Sequence, residues 1–272
     1  MLYILSNKSK QLNYGKLALY IKFSQNLNKM KINPINSKNF DPQKRSKKSI
    51  KFIILHYTGM QSERESIKRL CDPKSKVSSH FVINQKGEIY RLVQDNRIAW
   101  HAGKSCWGKY KNLNKNSIGI ELVNKGHDFG YTNFKKKQLF SLIKLCKSLI
   151  KKYKIKRKNI IGHSDIAPLR KIDPGEKFPW EDLANKKIGI WHQYKRKELI
   201  NLRGFNVPNK SKLKFFKKLK KIGYCFISKE KINYLKIIKN FQRHYRKELI
   251  NGIIDKECMI IADNLLKISK NT

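Results

Sequence analysis

Two histidines and an aspartate stand at spacings from which a catalytic metal site can be built. His163 and Asp173 lie in the segment GHSDIAPLRKIDPG (162–175), with Lys171 two positions before the aspartate. Far upstream, His56 lies toward the end of an apolar run, KFIILHYTGM. Two imidazoles and a carboxylate suit zinc: three protein ligands leave the fourth tetrahedral position for a water, whose pKa zinc lowers to about 7. A remote histidine joined to a local His/Asp pair describes an open, hydrolytic site rather than a closed structural knot. Seven histidines are present, so residue type alone leaves His101 and Asp165 as rival ligands. Asp165 stands two positions from His163, the spacing that puts side chains on one face of a strand. No serine or cysteine has a partner that would make it a nucleophile.

These residues need elements to position them. FIILHY reads as a strand buried on both faces. Ser62 and Glu65 form a capping box ahead of Ile67 and Leu70, predicting a short helix. His80–Asn84 and Glu88–Val93 flank a Gln-Lys-Gly turn and predict a hairpin, with His80 a structural residue. SIGIELV (117–123) is a further strand. Leu139, Ile143, Cys146, Ile150 and Tyr153 recur at helical spacing, and Ile160–Ile161 form a short strand that delivers His163 to its end. The C-terminal region predicts three helices: Leu213, Phe216, Leu219 and Ile222 on the first; Tyr234, Ile237, Ile238 and Phe241 on a second capped by Ser228; Met259, Ala262, Leu265 and Leu266 on a third capped by Asp255. The fold class is α/β, a mixed central sheet flanked by helices and followed by a small three-helix bundle. The boundaries are a polar lead-in at 1–49, a catalytic domain at 50–191, a linker at 192–211 and the bundle at 212–268.

Charge is the compositional oddity: 62 Lys+Arg against 19 Asp+Glu give +43 over 272 residues. The lysines are spread along the whole chain together with abundant Ile and Asn, which reads as compositional bias. No specific nucleic-acid partner is expected, although anionic surfaces would attract the chain. The five cysteines form no CxxC pair, and neither a disulfide framework nor a cysteine-rich zinc site is indicated. No apolar run approaches the ~20 residues of a membrane span. The N-terminal LYIL and LALYI runs make a poor signal peptide, and Met30 is an alternative start. A monomer is expected.

Residues 50–191 resemble the zinc-dependent N-acetylmuramoyl-L-alanine amidases of the type 2 amidase family, relatives of peptidoglycan recognition proteins. The resemblance rests on ILHYTGM, VSSHFVINQKGEIYRLV, AWHAGKSCW, NSIGIELVNKGHDFGY, GHSDIAPLRKIDPGEKFPW and GIWH, in that order. It implies zinc held by His56, His163 and Asp173, with Asp165 reduced to a supporting role. It implies Glu121 as the proton-handling glutamate and Lys171 as the cation beside the oxyanion, with Arg170 its immediate neighbour. Trp100 and His101 in AWHAG are then expected to line the substrate groove, His101 as a sugar or peptide contact. The substrate implied is peptidoglycan or anhydromuropeptide, cut between N-acetylmuramic acid and L-alanine in wall turnover or recycling. LKKIGY, IIKNFQRHYR and NGIIDKECMIIADNLL resemble a small peptidoglycan-binding domain. Unpaired cysteines and the poor signal peptide favour the cytoplasm; a wall-binding module favours the envelope.

Overall fold

The computed structural model describes residues 30–226 and 233–272, and residues 33–272 form one compact unit. Its strands are β1 (Ile32–Pro34), β2 (Phe40–Asp41), β3 (Phe52–Tyr57), β4 (Phe81–Ile83), β5 (Ile89–Arg91), β6 (Ile98–Ala99), β7 (Cys106–Trp107), β8 (Tyr110–Lys111), β9 (Ser117–Leu122) and β10 (Ile160–Gly162). The helices are α1 (Glu63–Cys71), α2 (Lys136–Tyr153), α3 (His163–Ile166), α4 (Trp180–Asn185), α5 (Arg196–Ile200), α6 (Asn209–Ile222), α7 (Tyr234–Tyr245) and α8 (Lys256–Lys270). The main sheet has the order β1-β5-β4-β9-β3-β10. Strand β3 runs parallel to β9 and β10, β9 runs parallel to β4, and β5 closes the expected hairpin antiparallel to β4.

Parallel strands covered on both faces must be apolar nearly throughout. Accordingly β9 is buried at every position and β3 at all but its last. Their register sets His56 opposite Glu121 and, on the other flank, Leu55 opposite Gly162. The carboxyl ends of β9, β3 and β10 therefore finish side by side, where open α/β sheets place their ligand sites. Alternation puts Ser117, Gly119 and Glu121 on the same sheet face as Phe52, Ile54 and His56.

That face is covered by the C-terminal helices. Phe52 and Ile54 share one apolar cluster with Phe215 and Leu219 of α6, Phe241 of α7 and Leu265 of α8. The helical region thus does not stand apart, and the 192–211 span contains α5 and buries Leu199 in the same core. The lead-in also contributes from residue 33 onward: Arg45 is buried and donates to the carbonyls of Asp95, Asn114 and Ser117.

The capping box at Ser62 and Glu65 and the Asp255 cap both form. The Ser228 cap falls outside the described residues; Asn233 caps α7. Two helix faces differ from the apolar pattern. On α2 the inward residues are Leu142, Leu145, Cys146 and Leu149, while Leu139, Ile143 and Ile150 are half-buried. The pattern missed inward Gln138, whose amide donates to the carbonyls of Ile83 and Val123. On α6, Phe215 turns inward and Leu213 is 67% exposed. The cysteine expectation is also corrected: Cys106 and Cys225 form a disulfide across 119 positions. A pairing over that distance leaves no mark in local spacing.

Candidate active site

The 162–175 segment is folded back so that its ends meet. Ser164 N donates to Asp173 O at 2.8 Å. Gly162 fits because a Cβ there would lie 2.7 Å from Pro174 Cδ. His163 opens the single turn of α3 directly after β10, and Asp173 returns beside it. Asp165 faces the other way and is fully buried. Its Oδ2 accepts from Gly162 N and His244 Nδ1, both at 2.8 Å, and its Oδ1 from the Tyr224 hydroxyl at 2.6 Å. Three of its roughly four acceptor sites are taken, and the donor atoms that converge are those of His56, His163 and Asp173, not of Asp165.

Three atoms converge at the carboxyl end of the sheet: His56 Nδ1, His163 Nδ1 and Asp173 Oδ2. The separations are 3.0 Å for His56–His163, 3.0 Å for His56–Asp173 and 3.1 Å for His163–Asp173. The protons on the two rings can be placed from their outer neighbours. Ser117 spends its single hydroxyl hydrogen on Leu113 O at 2.6 Å, so its Oγ accepts from His101 Nε2 at 3.0 Å. His101 Nδ1 is then an acceptor, and His56 Nε2 donates to it at 3.1 Å. His163 Nε2 donates to Ala102 O at 3.1 Å. Both Nδ1 atoms therefore carry lone pairs and point at a carboxylate oxygen. Without a cation that arrangement is repulsive; with one it is a ligand set. Tetrahedral ligands at bonds of 2.0–2.1 Å sit about 3.3 Å apart, only slightly wider than found here. Burial and then His163 push His56 down to about 4, against the pull of Asp173, in keeping with a neutral ring.

His101 lines the cavity over these residues, as expected, and it also stands behind His56, where protein atoms engage both its ring nitrogens. It can lie there because Gly119 has no side chain: a Cβ would meet His101 Cγ at 2.4 Å. Sequence reasoning missed Ser117 and Gly119. Their signal was the stripe Ser117, Gly119, Glu121, two small residues and an acid on one face of an otherwise apolar strand.

A cavity of about 530 Å³ opens over the three ligands and is lined also by Trp100, Glu121 and Lys171. Trp100 reaches Asp41 through its indole N–H at 3.0 Å. Glu121 is buried, and its Oε2 has no hydrogen-bond partner among the described residues. Burial drives this carboxyl well above the usual range; Asp173 adds to the effect and Lys171 opposes it. Arg170 donates to the carbonyls of Ala102 and Lys104 and is committed to the backbone. Of the adjacent cations, Lys171 is the one without a hydrogen-bonded or ion-paired side chain among the described residues.

Residues 46–176 match the family described as N-acetylmuramoyl-L-alanine amidase. Along a greater length, the amidase AmiD of Escherichia coli is 36% identical over 235 residues, 80% of this chain and 83% of that relative. The chain belongs to the N-acetylmuramoyl-L-alanine amidase family. Two solved relatives share the fold of this amidase. The E. coli AmiD complex with anhydro-N-acetylmuramic acid-L-Ala-D-gamma-Glu-L-Lys aligns with a TM-score of 0.71 at 33% identity, over 84% of this chain and 92% of that one. AmpDh3 from Pseudomonas aeruginosa, bound to anhydromuramic pentapeptide, gives 0.70 at 28% identity over 86% and 98%. The amidase is a hydrolase with a buried His56/His163/Asp173 group whose donor atoms lie close enough together to hold a metal ion.

Proposed function

We propose that this amidase uses zinc to hydrolyse the amide between the lactyl group of N-acetylmuramic acid and L-alanine, in muropeptides bearing the anhydro sugar. The observation that carries the reading is the pair of Nδ1 lone pairs converging with Asp173, beside an unpartnered buried carboxylate. A bound zinc supplies Lewis acidity for the carbonyl, acidifies a water toward pKa ~7 and draws Glu121 toward its ionised form. Glu121 takes the proton from the attacking water and gives it to the departing nitrogen of L-alanine. Lys171 holds a positive charge beside the oxygen on which negative charge develops. The C–N bond breaks, leaving a lactyl carboxylate and a peptide with a free N-terminal alanine. His101 and Ser117 keep the His56 proton on Nε2. The ligands bound to the two solved relatives favour soluble anhydromuropeptides as substrate.

A wall-binding role for the helical region must use its exposed residues, such as Phe205, Leu213 and Ile253. The FQRHYR segment that suggested it places Phe241, Gln242, His244, Tyr245 and Arg246 inside the protein. The disulfide removes one of the two grounds for a cytoplasmic setting and favours an oxidising compartment such as the envelope.

Mass spectrometry of products from anhydromuropeptides and from intact sacculi tests the reading. Peptide beginning with L-alanine should be released, lost on chelation and restored by zinc. Full activity after chelation would sink the metal mechanism.

A further inference from the structure

The catalytic segment is held from outside by one face of α7. Lys236, Asn240 and His244 recur every four residues, which places them in a row on that helix. Lys236 Nζ donates to Leu169 O at 3.2 Å. Asn240 Nδ2 donates to Pro168 O and to Lys171 O, each at 2.8 Å. The orientation of that amide is fixed, because Arg243 donates to Asn240 Oδ1 at 2.8 Å. His244 Nδ1 reaches Asp165 Oδ2 at 2.8 Å, and its ring stacks between Trp180 and Tyr245. Tyr224, just past the end of α6, adds its hydroxyl to the other oxygen of Asp165. Asn240, His244, Tyr224 and Asp165 are all buried, so these bonds are shielded from water and each missing donor leaves an unsatisfied carbonyl or carboxylate.

The receiving atoms are not random. Leu169 O, Pro168 O and Lys171 O belong to the connection between the two metal-ligating residues, and Lys171 is two positions from Asp173. Asp165 binds the N–H of Gly162, the residue before His163. The segment's own backbone bonds, from Ala167 N to His163 O and from Lys171 N to Ala167 O, define two turns but do not fix them against the sheet. Arg170 ties the segment to the carbonyls of Ala102 and Lys104, and the row on α7 adds an anchorage of its own.

We propose that the Lys236–Asn240–His244 face of α7, with Tyr224, is the positioning device for the segment carrying His163, Lys171 and Asp173. The C-terminal helices thus serve the chemistry on small soluble substrates as well, independently of any grip on polymer. The idea rests on the metal reading of the His/His/Asp group, and the test separates the two.

Full-length Asn240→Ala and Tyr224→Phe are compared with the parent and with Ile261→Val. Ile261 lies in the buried core of α8, and its truncation loosens packing without removing a polar contact. Zinc affinity of the metal-free protein is measured by competition with a chromophoric chelator, and kcat and KM are measured on a soluble anhydromuropeptide at saturating zinc. Zinc affinity should fall by roughly threefold or more in both polar variants, less than the ~10- to 100-fold for a partner bonded directly to a ligand, because these bonds hold the segment and not the ligating side chains. In Asn240→Ala, kcat should fall by a similar factor with KM within about twofold. Ile261→Val should keep both. Tyr224→Phe loses one hydrogen bond and no volume, so it decides the matter even where Asn240→Ala is poorly folded. Parent-like zinc affinity and kcat in Tyr224→Phe and Asn240→Ala overturn the proposal, as does an equal loss in Ile261→Val. A parent that binds no zinc refutes the metal reading instead, and the kcat comparison then decides the positioning role.

Discussion

Gly119→Ala is the most exacting perturbation the site offers, because one methyl group meets the ring behind His56. The added Cβ would lie 2.4 Å from His101 Cγ and 2.7 Å from Cδ2 and Nδ1. Ordinary contact begins near 3.4 Å, so the ring must withdraw by about 1 Å. Its bonds to His56 Nε2 and Ser117 Oγ are 3.1 and 3.0 Å. Lengthening either by that amount takes it outside hydrogen-bonding range. His56 then loses the acceptor that holds its proton on Nε2, and its Nδ1 is no longer reserved for metal. Loss of such a partner costs roughly 10- to 100-fold in metal affinity, about 1.4–2.7 kcal/mol. Overpacking subtracts a further ~1–3 kcal/mol from folding stability. Zinc competition titration reads the first quantity and urea denaturation of the metal-free protein the second. Ser117→Ala serves as companion, since it removes the far end of the relay without adding volume. If Gly119→Ala and Ser117→Ala bind zinc as the parent does while remaining folded, the proton assignment across His101 is wrong.

Glu121→Gln should lower amidase turnover by ~10²–10⁴-fold while leaving zinc affinity within a few-fold; a variant with parental turnover would remove Glu121 from the mechanism. Burial and the neighbouring Arg45 push the His80 pKa down to about 3, below its unfolded value of ~6.5, so the unfolded chain takes up the proton first. Stability from this residue is complete above pH ~6.5 and declines as the pH falls toward 3, by about 1.4 kcal/mol per pH unit. Urea unfolding between pH 7 and 5 should therefore be less pH-sensitive in His80→Gln, and equal slopes would contradict the assignment. Arg246 is buried against Asp255 and Glu257; Arg246→Met leaves the buried Asp255 without its ion pair, while Glu257 keeps Arg203, and should cost about 3–5 kcal/mol in chemical denaturation.

The legible parts of this chain were those whose signal is local. FIILHY and SIGIELV announce buried strands because both of their faces are covered, and the Ser62–Glu65 box announces a helix start because its two bonds span four residues. His56, His163 and Asp173 were legible as a donor set, but choosing Asp173 over Asp165 came only from the family pattern. Geometry supplies the reason, since Asp165 spends its lone pairs on Gly162, His244 and Tyr224. What stayed hidden depended on partners far away in sequence. Gln138 lies outside the apolar pattern of its helix, and only the approach of β4, with the Ile83 carbonyl, explains its burial. His101 was legible as a groove residue, but its place behind His56 depends on the room that Gly119 leaves for it. Residues 212–268 looked like a separate module because their apolar faces, read alone, say nothing about what they cover. The answer is Phe52 and Ile54, on the sheet face that carries His56.

The long spans across the site bear on how the chain reaches its native state. His56 and Asp173 are 117 positions apart, and Cys106 and Cys225 are 119 apart. The two intervals overlap without nesting, so neither closure brings about the other. A metal ion bridging the first pair acts as a second cross-link, and a loop of ~100 residues closed in the unfolded ensemble is worth about 4–5 kcal/mol in the chain-entropy view. The parallel pairing of β3 with β9 and β10 also joins segments distant in sequence, a slow kind of contact to make. A metal ion taken up by these residues would be captured at the end of folding and would act as a latch on the finished sheet.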